Sequence, residues 1–141
     1  MKAFGKVAPW ITRLIVIIPT ALLATIGIQN VLHPTAVAGA RGIVFVSGMG
    51  MTVGRIGFGA FPLACGLFLL ACMFSERRLL TALTFVATLD SVVLVVRIAG
   101  MFADSSFQEN MRLVGAEVLL LIVTCVGLLI ETNRKQRTPL M

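Results

Sequence analysis

The stretch GMGMTVGRIGFGAFPLACGLFLLACMF, residues 48–74, opens on glycines and closes as a run of leucine, phenylalanine and cysteine. Its apolar part, from about Gly54 to Phe74, has the roughly 20 residues that a helix needs to cross ~30 Å of hydrocarbon. Its one charge, Arg55, stands at the mouth of that run. Three further runs of similar length and composition flank it: PWITRLIVIIPTALLATIGIQNVL at 9–32, LLTALTFVATLDSVVLVVRIAGMF at 79–102 and RLVGAEVLLLIVTCVGLLIE at 112–131. A chain of 141 residues that is 58% hydrophobic and only 13% charged, with a mean hydropathy of +1.01, lies far outside soluble composition. The expected fold is all-α: one membrane domain over residues 1–141, a four-helix bundle with spans at about 9–32, 54–74, 79–102 and 112–131.

The connections differ. SERR (75–78) is a tight turn and ADSSFQEN (103–110) a short loop, whereas residues 33–53 are long enough to hold structure of their own. Within that loop GIVFVSGMGM (42–51) is too short to span. It can lie at the interface, re-enter, or extend the second helix by a turn or two.

Orientation follows from the cations, which are retained on the cytoplasmic side of a membrane. With four spans the N-terminus, the second turn and the C-terminus share a side. That side carries Lys2, Lys6, Arg13, Arg77, Arg78, Arg134, Lys135 and Arg137 against Glu76 and Glu131, while Arg41 and Arg112 opposite are balanced by Asp104 and Glu109. The formal charge of +6 is therefore one-sided, and both termini are expected in the cytoplasm of a bacterial inner membrane. The same placement disposes of a nucleic-acid reading of the pI near 10.3, because the basic residues flank spans and have no interleaved aromatic readers. The lipid bilayer is the expected partner, with RKQR (134–137) reaching anionic headgroups. A cleaved signal peptide is disfavoured: the apolar run is too long, and the small-residue stretch AVAGA (36–40) lies well beyond its end.

Cys65, Cys72 and Cys125 lie inside predicted spans without CxxC spacing, and His33 is the only histidine. No metal, cofactor or disulfide framework is expected from them. The glycines match no phosphate-loop spacing. In a membrane Gly50, Gly54, Gly59 and Gly66 instead suit close helix packing. Pro19 and Pro62 are expected to kink the first and second spans, Pro62 by freeing the carbonyl near Phe58.

Four ionisable residues remain within spans: Arg55, Asp90, Arg97 and Glu117. Each costs roughly 2.5–3.5 kcal/mol at a helix centre on insertion scales, so unpaired burial is disfavoured. Arg97 and Glu117 fall at nearly equal depth, roughly 7–8 Å below the outer boundary, and can meet. Arg97 leans toward its own N-terminus and thus the midplane, where Asp90, one heptad earlier on its own helix, is the alternative partner. Gln29 and Asn30, near the outer end of the first span, can complete a polar pocket to which all four helices contribute. Such a cluster is either a lock that fixes helix rotation and register, or an outer-leaflet site for an anionic headgroup, a small polar solute or a proton.

These residues also carry a resemblance. Arg55, Gly59, Ala60 and Gly66 resemble the arginine, small pair and further glycine of the bacterial membrane family called domain of unknown function 4345. Arg97-Ile-Ala-Gly100 followed by Asp104 is similar to its third-helix arginine and loop aspartate, and Glu117 to its fourth-helix glutamate. The likeness spans roughly residues 35–130, and the plan is more distantly similar to DoxX-like membrane proteins. It departs at Val53-Gly54, where the family often has an acidic or amide residue, and at Ser105, where it has glycine. The first departure leaves Glu117 or Asp90 as partners for Arg55. The resemblance implies a four-helix protein and no particular activity.

The function class expected is a non-enzymatic binding or accessory membrane protein, which can form homo-oligomers. The rivals are a small homodimeric transporter of a polar or anionic solute and, last, a lipid-modifying enzyme, for which no catalytic set can be read.

Overall fold

The computed structural model describes residues 2–137 and, among these, the side chains of all but residues 2–6, 109 and 137. The flanking charges Lys2, Lys6, Glu109 and Arg137 therefore lie outside the described side chains. The elements are α1 (Lys2–Leu32), α2 (Pro34–Gly39), α3 (Gly48–Gly54), a π-helical turn (Arg55–Ala60), α4 (Phe61–Met73), a 3-10 turn (Glu76–Arg78), α5 (Leu79–Ala103) and α6 (Phe107–Arg137). No strand occurs among the described residues. The segments Val7–Leu32, Gly48–Met73, Glu76–Ala103 and Asn110–Gln136 are each long and apolar enough to cross a membrane. This is a small multi-pass membrane protein with the four helices its sequence leads one to expect.

Local chemistry sets the helix boundaries. Pro34 opens α2 at its first position, where a missing N–H costs nothing and the fixed φ already suits a helix. Gly42 follows at φ +73, a conformation natural to glycine. Ser47 is extended, and its hydroxyl accepts from Gly50 N at 3.1 Å, so the second spanning helix begins at Gly48. Within residues 42–51 only Gly48–Met51 extend that helix, by about one turn, and residues 42–47 are not helical. Pro19 leaves α1 continuous. Pro62 instead follows the π-helical turn, in which Phe61 N donates five residues back to Ile56 O. That wider spacing lets a carbonyl be served one residue further along when proline cannot serve it.

The chain divides into two compact units, one of α1 up to Val16 with residues 75 onward, the other Ile17–Phe74. In the second unit the latter half of α1 runs antiparallel to the α3–α4 segment at backbone contact. A β-carbon built on Gly27 would stand 2.6 Å from Leu63 N, one on Gly59 3.0 Å from Val31 N, and one on Gly66 3.0 Å from Ala24 N. Small residues allow this approach in lipid, where association relies on packing rather than on the hydrophobic effect. Gly54 lies under the Phe45 ring, and Gly50 meets only Ser47 Oγ.

In the first unit α5 and α6 form an antiparallel hairpin. Leu79, Leu83 and Val86 are buried. Gly127 admits Leu83 Cδ2 at 3.0 Å and Ile15 Cδ1 of α1 at 3.1 Å from where its β-carbon would be. At the hairpin turn Ser106 N bonds back to Met101 O at 3.3 Å, and Phe102 meets Phe107 edge to face at 5.1 Å. Ser105 sits between them at φ 53, in the left-handed region. The opposite faces are apolar and open. Val95, Val96, Leu119 and Leu129 are each more than half exposed, an arrangement suited to contact with lipid tails.

Alanine at Gly27 should cost ~1–3 kcal/mol by overpacking. Alanine at Gly115, which has open space around it, should be neutral or slightly stabilising. Reversible unfolding in mixed detergent micelles checks both.

Candidate functional site: two charged clasps on one hairpin

Arg97 and Glu117 are brought together. Arg97 Nε donates to both Glu117 oxygens at 2.9 Å, and Nη2 to Oε1 at 2.7 Å. Nη1 reaches Asn110 Oδ1 at 3.0 Å, and Asn110 Nδ2 donates in turn to Ser106 O and Oγ, each at 3.1 Å. The side chains of Arg97 and Glu117 are 25% and 16% exposed. A planar guanidinium suits this arrangement because it can fork onto one carboxylate and still reach a third group. The cluster cancels its own charge and ties α5 both to α6 and to the loop that joins them.

The other residues expected beside this pair divide between the two units. Asp90, on the same hairpin, is 7% exposed, and its Oδ2 has no hydrogen-bond partner; Arg97 turns to Glu117 and Asn110 instead. Arg55 lies in the other unit, at the start of the π-helical turn, exposed and in no ion pair among the described residues. Gln29 and Asn30 belong to that unit as well. Gln29 is exposed and lends its carbonyl to His33 N, and Asn30 is buried with Nδ2 on Ile26 O at 2.8 Å.

A second clasp closes the far end of the hairpin. Glu131 is completely buried, and Arg134 forks onto it, with Nε to Oε2 at 3.0 Å and Nη2 to Oε1 at 2.6 Å. Arg134 Nη1 also meets Glu76 Oε2 at 3.2 Å and Nη2 meets Glu76 O at 3.2 Å, while Lys135 Nζ caps Arg77 O at 3.0 Å. In the sequence these residues stand out only as flanking charges. The available signal was the i, i+3 spacing of Glu131 and Arg134 at the end of an apolar run.

Among the described residues no group of histidine, cysteine and carboxylate could hold a metal ion, and all three cysteines are free. Thr20 Oγ1 lies 3.8 Å from Met73 Sδ within the second unit. No family model, curated protein or solved structure matches this chain.

Removing Arg134 leaves the buried Glu131 carboxylate without its principal counter-charge, so Arg134→Leu should cost ~3–5 kcal/mol. Arg134→Lys should recover only part of this, since an ammonium cannot reproduce the fork. Denaturant titration of the full chain in bicelles measures both.

Proposed function

We propose that this protein works by binding rather than by catalysis, as an accessory protein of the bacterial inner membrane with both termini in the cytoplasm. The charge asymmetry of the loops supports that orientation, and it sets the Arg97–Glu117 pair toward the outer leaflet. The shared arginine, glycine and glutamate positions support kinship with the family called domain of unknown function 4345. The Arg97–Glu117–Asn110 cluster acts as a lock and Arg55 as the ligand contact, with anionic lipid as partner.

The observation that carries it is the contrast between these two arginines. Arg97 is held by Glu117 and Asn110, whereas Arg55 is exposed and in no ion pair among the described residues. A guanidinium near the end of a span with no protein counter-charge suits a lipid phosphate, which it can engage through two parallel hydrogen bonds.

A second reading is a small homodimeric transporter of a polar or anionic solute. The π-helical turn at Arg55–Ala60 favours it, because such turns frequently occur at functional sites. Anion flux in liposomes that depends on Arg55 would support that alternative.

Native mass spectrometry of the protein released from phosphatidylglycerol-containing membranes tests the first reading. The wild type should retain anionic lipid and Arg55→Gln should lose most of it, with the fold unchanged. Equal retention by Arg55→Gln would remove the basis for the proposed contact.

A further inference from the structure

Among the described residues, two buried side-chain oxygens have no hydrogen-bond partner, both in the α5–α6 hairpin: Asp90 Oδ2 and Thr124 Oγ1. Asp90 is 7% exposed and Thr124 completely buried. Their coincidence is geometric. The pairs Arg97–Glu117, Leu83–Gly127 and Glu76–Arg134 fix the antiparallel register, and that register sets Asp90 level with the α6 turn that ends at Thr124. Asp90 lies seven residues from both Leu83 and Arg97, hence on their face of α5. Thr124 lies seven residues from both Glu117 and Glu131, hence on theirs of α6. Both stripes form the hairpin interface.

Thr124 also departs from the usual behaviour of a helical threonine. Thr12, Thr52 and Thr84 each donate their hydroxyl to the carbonyl four residues earlier, the common local solution for such side chains. Thr124 does not, so its hydroxyl is left for another partner.

We propose that Asp90 and Thr124 form a buried site for one hard monovalent cation, sodium or the proton. Oxygen is the only donor type the pair offers, which suits a hard cation and not a soft metal. The carboxylate repels anions, and one positive charge neutralises it where a divalent ion would leave an excess in hydrocarbon. The charged groups nearest along the hairpin are already engaged: Arg97 with Glu117 on one side, Arg134 with Glu131 on the other. From α1, the part within this unit contributes Arg13 as its only charge among the described side chains, stacked on Trp10 at 5.1 Å, and the Thr12 hydroxyl is spent on Ala8 O. None of these groups is in an ion pair with Asp90. In the proton case the proton resides on Asp90 Oδ2; in the sodium case Thr124 Oγ1 is a second ligand and water completes the shell.

The inference rests on the hairpin alone and is independent of lipid binding at Arg55. Thermal unfolding of the full chain in nanodiscs tests it, in sodium chloride against choline chloride and from about pH 8.5 to about pH 6. A ligand that binds only the folded state raises its stability with concentration. If sodium occupies the site, the wild-type unfolding temperature rises by several degrees in sodium, and the half-saturating concentration increases as pH falls because both cations compete for one carboxylate. Thr124→Val then raises that concentration about tenfold, the equivalent of one lost ligand interaction, and Asp90→Asn abolishes the response. If the proton occupies it, sodium has no effect and the wild type gains several degrees as pH falls, a gain absent from Asp90→Asn. A wild type indifferent to both sodium and pH, or an Asp90→Asn variant that responds as the wild type does, overturns the proposal. Should Asp90→Asn fail to fold, the wild-type salt and pH series still decides.

Discussion

A guanidinium or carboxylate inside hydrocarbon is costly without an opposite charge beside it, and that constraint shapes the α5–α6 hairpin. Arg97 and Glu117 can satisfy each other only when the two helices stand at one register and one rotation. The forked geometry, with Nε and Nη2 both on Glu117, narrows that freedom further. Apolar packing is far less selective, since a leucine can slide by a turn against lipid-like neighbours at little cost, and a charge pair cannot.

The hairpin is held in this way at both ends. Arg97–Glu117 works through Asn110 to the turn at Asp104–Ser106, and Arg134 gathers Glu131 and Glu76 at the other end. Between the clasps lie the two unpartnered oxygens of Asp90 and Thr124. The unit formed by Ile17–Phe74 uses different physics. Its helices meet through glycines at Gly27, Gly59 and Gly66, where backbones touch directly and dispersion replaces ionic pairing.

The helical class and the four spans were legible because runs of some 20 apolar residues have few other structural uses. The Arg97–Glu117 pair was legible from depth alone, as both lie a similar distance from a shared loop. Residues whose partners are distant in sequence were harder to read. Gly27 has no glycine at GxxxG spacing, and its importance comes from Leu63 on another helix. Glu131 sits where a flanking charge normally faces water, so its burial against Arg134 is a tertiary result. Thr124 reads like any helical threonine until its hydroxyl is found without the usual carbonyl. The second spanning helix starts at Gly48 rather than near Gly54 because Ser47, a favoured N-cap residue, closes its first turn.

The most direct test of the charge-pair account is a double-mutant cycle between Arg97 and Glu117, with unfolding free energies measured for the full chain in bicelles. The account predicts a coupling energy at the upper end of the roughly 0.5–3 kcal/mol seen for contacting residues, with Arg97→Leu and Glu117→Leu together costing much less than the sum of the two single changes. A coupling near zero, with the two losses simply additive, would contradict it.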